Sequence, residues 1–109
     1  MDGRYERAAE FFAALGHPAR LRILELLASE GRCACELNQE IGLDQSTISR
    51  HLLALKRAGI LKTTKDGVRV IYRLADKRVL QLLELASEVI ASSISEQLAT
   101  FGRPSDTRS

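Results

Sequence analysis

Residues 43–61, Leu-Asp-Gln-Ser-Thr-Ile-Ser-Arg-His-Leu-Leu-Ala-Leu-Lys-Arg-Ala-Gly-Ile-Leu, constrain the fold more than any other stretch of the chain. They read as a short turn feeding a helix with a polar opening and an amphipathic body. Ile48, Leu52 and Leu55 share one helical face at i, i+4, i+7, whereas Ser46, Thr47, Ser49, Arg50 and Lys56 lie largely elsewhere. Upstream, Cys35 to Ile41 carries Leu37 and Ile41 at helical spacing, and Gly42 supplies the left-handed residue that a tight turn between helices demands. Asp44 is placed to cap the second helix by accepting its free backbone N–H groups. A first helix, a glycine turn and a second, polar-faced helix make a helix-turn-helix, in which the second helix enters a DNA major groove.

The next segment adds a hairpin. After Ala58-Gly59, residues Ile60 to Lys65 read as a strand, and Asp66-Gly67 as a two-residue type I′ turn, because glycine accepts a positive φ. Val68 to Leu74 returns as a second strand, with Val68, Val70 and Tyr72 on one face and Arg69 and Arg73 on the other, Ile71 being an apolar exception among the arginines. A helix-turn-helix followed by a basic hairpin is a winged helix. Charge agrees: Leu43 to Arg73 holds seven basic and two acidic residues, a balance of +5 in a chain whose net charge is +2. The rest is therefore acidic, and the positive charge is concentrated on the elements that would meet nucleic acid.

Two helices precede this motif and one follows. Tyr5 to Leu15 carries Ala8, Phe11, Phe12 and Leu15; Gly16-His17-Pro18 breaks it, and Pro18 suits the first position of a second helix running to about Glu30. The last helix spans about Asp76 to Phe101, with Val79, Leu82, Leu83, Ala86, Val89, Ile90, Ile94, Leu98 and Phe101 repeating at 3–4 spacing. That apolar length exceeds what a core of this size covers. It predicts packing against a second copy through Phe11, Phe12, Val89, Ile90 and Ile94, the alternative being a long helix laid across its own monomer. A homodimer also suits two half-sites about 34 Å apart. The expected fold is mostly α with a small β-hairpin, a winged helix-turn-helix in the order α-α-α-α-β-β-α, dimeric through the first and last helices.

At 109 residues the chain is expected to form one domain over 1–101, with 102–109 a disordered tail rich in Gly, Pro, Ser and Asp. No 18-residue apolar run and no signal-peptide pattern occur, so the expected location is the cytoplasm, away from membranes, with both cysteines reduced.

Short hydroxyl and amide side chains beside an arginine suit base edges and phosphates, which nominates Gln45, Ser46, Thr47, Ser49 and Arg50 for DNA contact. Lys56, and Lys65 and Arg69 on the hairpin, are nominated for phosphate; His51 is read as a phosphate or packing contact. Catalysis would need a nucleophile, a base and an orienting group. The histidines are His17, beside a helix-breaking proline, and His51, and there is no glycine-rich phosphate loop, so no enzyme is expected. The stronger rival is a winged-helix protein-interaction module, which would not need the basic excess.

Three segments taken together, Ala14-Leu15-Gly16-His17-Pro18-Ala19-Arg20-Leu21-Arg22-Ile23-Leu24, Cys33-Ala34-Cys35-Glu36-Leu37 and Gln45-Ser46-Thr47-Ile48-Ser49-Arg50-His51-Leu52, resemble the ArsR/SmtB family of bacterial transcriptional repressors over about residues 5–100. The resemblance implies a dimeric winged helix on an inverted-repeat operator in double-stranded DNA. It also implies release by an inducer, commonly a metal or metalloid ion, and no prosthetic group.

Cys33 and Cys35 carry the inducer question. They are either small packed hydrophobes or ligands for a soft ion. If Glu36 is the third residue of a capping box, Cys33 is the N-cap, where the helix dipole favours a thiolate. In a regular helix, residues i and i+2 point about 200° apart, so both sulfurs reach one ion only if the first turn unwinds. Ligation would then shift the reading helix. The family's arsenite or antimonite site resembles this Cys-x-Cys with a further cysteine nearby, but here Leu37 and Asn38 follow and no third cysteine exists. The zinc-type site on the last helix needs histidine, and none lies between Asp76 and Phe101. What remains is a two-thiolate metal site, completed by water, hydroxide, a buffer thiol or His17. Trivalent arsenic or antimony is the first reading. A soft divalent ion, or a redox or sulfur signal through a Cys33–Cys35 bond, is the second, the small ring weighing against the bond.

Overall fold

Helix α1 (Gly3–Leu15) and helix α2 (Pro18–Leu26) meet at the predicted break, with Pro18 opening α2 and His17 as its N-cap. The structure is a computed structural model and describes residues 3–101, with side chains described as far as Glu96; the expected tail lies outside the described residues. Helices α3 (Ala34–Ile41) and α4 (Gln45–Arg57) follow, then strands β1 (Leu61–Asp66) and β2 (Arg69–Leu74), then helix α5 (Arg78–Phe101). The element order is the expected one.

Local signals explain the boundaries. Gly42 ends α3 in the left-handed conformation, at φ 81°, and its N–H donates to the Asn38 carbonyl at 2.9 Å. Asp44 Oδ1 accepts from the Thr47 N–H at 2.9 Å and caps α4. α2 is shorter than expected: it ends at Leu26, and residues 27–31 turn the chain so that Arg32 pairs with β2. The Arg32 N–H donates to the Tyr72 carbonyl at 3.1 Å and the Tyr72 N–H to the Arg32 carbonyl at 2.8 Å, an antiparallel bridge that extends the two-stranded sheet by one residue.

The hairpin register corrects two expectations. Asp66 pairs with Arg69, so the loop is Gly67-Val68 rather than Asp66-Gly67. Glycine at the first loop position, here at φ 66°, is the type II′ preference, and it frees Val68 from pairing at a fully exposed tip. Ile71, read as an exception among arginines, is buried together with Leu74 on this strand, whereas Val70 is exposed and Tyr72 half-buried.

The core of the unit ending at Lys77 forms where α2, α3 and α4 converge, with α1 against α2 and α4 and the hairpin against α3 and α4. Ile23, Leu24, Leu37, Ile48, Leu52 and Leu55 are wholly buried. Burying each side chain contributes roughly 1.5–3 kcal/mol, against about 1 kcal/mol for a helix cap, so packing rather than capping holds α4 in place. α5 forms a second unit. At 24 residues it is roughly 36 Å long, and it exposes Leu85, Val89, Ile90 and Ile94. The side chains of Leu98 and Phe101 lie outside those described. Among the described residues no helix is long and apolar enough to cross a membrane.

Candidate nucleic-acid interface and cysteine pair

The apolar period of α4 turns Ile48, Leu52 and Leu55 inward, and this leaves Gln45, Ser46, Ser49, Arg50 and Lys56 exposed, with Thr47 half-buried. Arg50 Nη2 donates to Thr47 Oγ1 at 3.3 Å across one turn. Hydrogen bonds from Thr47 hold the Asp44 carboxyl below its ordinary value, against a smaller opposing effect of desolvation and with further help from the Arg50 charge. On the hairpin, Lys65 and Arg69 are exposed near the tip. The polar face of α4 and the basic hairpin therefore both stand open to solvent.

His51 is the correction on this helix. It was nominated beside the DNA-contacting residues, yet it is only 8% exposed. Arg20 of α2 donates its Nε–H to His51 Nδ1 at 3.1 Å and an Nη1–H to the Ala14 carbonyl at 3.2 Å. The His17 ring packs on His51 with centroids 4.7 Å apart. Burial, then the charges of Arg20, His17 and Arg50, push the His51 imidazole below its ordinary value. The signal was in the sequence: position 51 is i+3 from Ile48 and i−4 from Leu55, on the core face.

The cysteines depart from expectation in a different way. Cys33 is the N-cap of α3, as the capping-box reading required: its Sγ accepts from the Glu36 N–H at 3.3 Å, and its own N–H donates to Glu36 Oε1 at 3.0 Å. Its backbone, at φ −81° and ψ 165°, is extended rather than helical, so the 200° separation of a regular helix does not apply. With Cα atoms 5.3 Å apart, Cys33 and Cys35 are joined in a disulfide without unwinding the first turn, where two free thiols were expected. Cys33 is buried and Cys35 exposed. Glu36 Oε1 accepts a further bond at 3.2 Å, from Arg69 Nη2 on the wing. Nothing in the local sequence pattern announces that contact. His17 is engaged with His51, and among the described residues no group of three His, Cys, Asp or Glu side chains is arranged to hold a metal ion.

Residues 17–63, which span α2, the helix-turn-helix and the start of β1, match the family model described as bacterial regulatory protein, arsR family. An HTH-type transcriptional regulator of Methanocaldococcus jannaschii is 46% identical over 87 residues, covering 79% of this chain and 98% of that protein. The chain belongs to the arsR family. Membership makes it a winged helix-turn-helix transcriptional regulator and not an enzyme. Among solved structures, Mycobacterium tuberculosis Rv0081 superimposes with a TM-score of 0.81 at 39% identity, over 90% of this chain and 99% of that one. The homodimeric winged helix-turn-helix domain of Mycobacterium bovis Mb0332 gives a TM-score of 0.74 at 31% identity, over 82% of each chain.

Proposed function

We propose that this arsR-family regulator is a dimeric repressor that binds an inverted-repeat operator and leaves it when Cys33 and Cys35 take up a thiophilic inducer. The observation that carries the reading is the convergence of both sulfurs at the first turn of α3, the helix that supports the reading helix α4. Gln45, Ser46, Thr47, Ser49 and Arg50 would meet base edges and adjacent phosphates, with Lys56, Lys65 and Arg69 on the backbone. The exposed apolar side chains of Phe12, Val89, Ile90 and Ile94, with half-buried Phe11 beside Phe12, support a subunit contact, and the Mycobacterium bovis relative is itself a homodimer.

The donor set fits an ion that needs two thiolates. Trivalent arsenic or antimony, including methylated arsenic, forms strong bonds to sulfur and can be held by two. A three-thiolate pyramid or a tetrahedral zinc centre lacks its remaining protein ligands among the described residues. Cys33 and Cys35 would hold the ion only after reduction, because a sulfur bonded to its neighbour is no thiolate. The disulfide in this structure favours a second reading, in which the oxidation state of the same pair is the signal.

The double substitution Cys33→Ser, Cys35→Ser separates sensing from DNA reading. Serine caps a helix at least as well as cysteine and is a poor ligand for a thiophilic ion. Operator affinity, read by fluorescence anisotropy, should stay within about threefold, under about 0.7 kcal/mol, while release by arsenite or by a disulfide oxidant is lost. Release at the wild-type concentration would place the sensor elsewhere, and loss of DNA binding would make the cysteines structural.

A further inference from the structure

A cavity of about 210 Å³ lies where the turn after α2 meets the base of the wing, and neither a cysteine nor any residue of α4 lines it. Its apolar lining, Leu27 and Leu74, is buried. Three exposed cations from three segments surround it: Lys62 of β1, Arg73 of β2 and Lys77 just ahead of α5. Glu30 is the one carboxylate in the lining, so cations exceed anions by two. Among the described residues, none of the three cations forms an ion pair.

Folding alone gives no reason for this grouping. Lys62 and Arg73 are direct cross-strand partners, and like charges placed opposite one another weaken a sheet. Arg73 donates its Nε–H to Thr64 Oγ1 at 3.3 Å, which orients the guanidinium and leaves its Nη groups uncommitted. The turn makes room for that guanidinium: a Cβ on Gly31 would stand 2.9 Å from Arg73 Nη1. An anion among the three cations would convert their mutual repulsion into attraction. An arginine fork matches phosphate in particular. The volume is below the roughly 300–1,000 Å³ of sites for drug-sized ligands, so the ligand is compact. Glu30 repels a bare anion but accepts a hydrogen bond from a hydroxyl, Ser29 lies beside it, and Leu27 and Leu74 suit a short carbon chain.

We propose that this cavity binds a compact phosphate monoester with a hydroxylated carbon chain, its phosphate held by Lys62, Arg73 and Lys77 and its hydroxyls by Glu30 and Ser29. The site is independent of the reading that the cysteine pair is the sensor. A ligand there would tie the turn after α2 to both strands of the wing.

The probe is glycerol 3-phosphate, titrated into the full chain without DNA at constant ionic strength and followed by amide NMR shifts. Saturable shifts should centre on Ser29, Glu30, Gly31 and Arg73. Lys62→Gln and Lys77→Gln should each weaken binding by about three- to tenfold, whereas Arg57→Gln, an exposed cation at the end of α4, should leave it unchanged. Inorganic phosphate should bind more weakly than the ester, since it brings no carbon chain to Leu27 and Leu74. Equal binding of inorganic phosphate overturns the ester assignment. An equal loss in Arg57→Gln, or the absence of saturable shifts, overturns the site. Duplex DNA is the other source of phosphate. If Lys62→Gln or Lys77→Gln lowers the salt slope on a random-sequence duplex by about 0.9, the value of one phosphate contact, the cations belong to the DNA interface and the proposal falls. Either lysine variant decides alone if the other fails to fold.

Discussion

Gly31 has no room for a methyl group, and replacing it with alanine should measurably weaken the fold. A Cβ at that position would stand 2.6 Å from Ile71 Cγ2 and 2.9 Å from both Cγ and Nη1 of Arg73. The arginine is exposed and its end can swing aside. Ile71 is 8% exposed, so its branched side chain has little room to yield. Overpacking of this kind costs about 1–3 kcal/mol, offset by about 0.4–1 kcal/mol because alanine restricts the unfolded chain. The expected net loss is about 0.5–2 kcal/mol in urea unfolding, with a fall in Tm of about 4–8 °C per kcal/mol, at fixed protein concentration. Two backgrounds isolate the cause. Ile71→Leu removes the β-branch at nearly constant volume and should recover about 1 kcal/mol of the Gly31→Ala penalty, whereas Ile71→Val keeps Cγ2 and should recover none. Equal penalties in both backgrounds would refute the clash as the origin of the effect.

Lys65→Ala should weaken binding to all duplex sequences alike and lower the salt slope by about 1; an unchanged slope would show that the wing does not touch DNA. Ile90→Glu, on the exposed apolar face of α5, should give a weakly binding monomer in sedimentation, and a stable dimer would locate the interface elsewhere. His51 titrates below its ordinary value of 6.5 in the folded protein, so the unfolded chain binds the proton first and stability should drop as pH falls below 6.5 toward the folded value, and stay level above it as far as this group is concerned. His51→Asn, which offers Arg20 an acceptor that does not titrate, should flatten that fall in pH-dependent urea unfolding; an unaltered profile would assign it to other groups.

Much of the fold was legible because its determinants are local. The spacing of Ile48, Leu52 and Leu55, the glycine at 42 and the acceptor at 44 each act within one or two helical turns, and the structure uses all of them as read. The errors have equally local causes. His51 was left between a phosphate and a packing contact although its phase put it on the core face. The hairpin loop slipped by one because Asp-Gly and Gly-Val both place glycine where φ is positive. The cysteines were given helical directions although an N-cap residue is not yet helical. Contacts between residues far apart in the chain left no trace to read. Glu36 meets Arg69 33 residues away, and Arg20 meets His51 31 residues away, through packing that no periodicity encodes.

The reciprocal pair of amides at Arg32 and Tyr72 bears on how the molecule breathes. Arg32 also donates its Nε–H to the Leu26 carbonyl at 2.9 Å, so one residue ties the end of α2 to the second strand of the wing, immediately before the cysteine pair. A hairpin of two strands is marginal by itself, and here its inner edge is fastened to the segment that leads into α3. Hydrogen exchange at the Arg32 and Tyr72 amides should follow a single opening event shared by the base of the wing and the entry to α3. A shared opening of that kind would make the wing and the segment before the cysteines one cooperative unit of local unfolding, held by Arg32 at both ends.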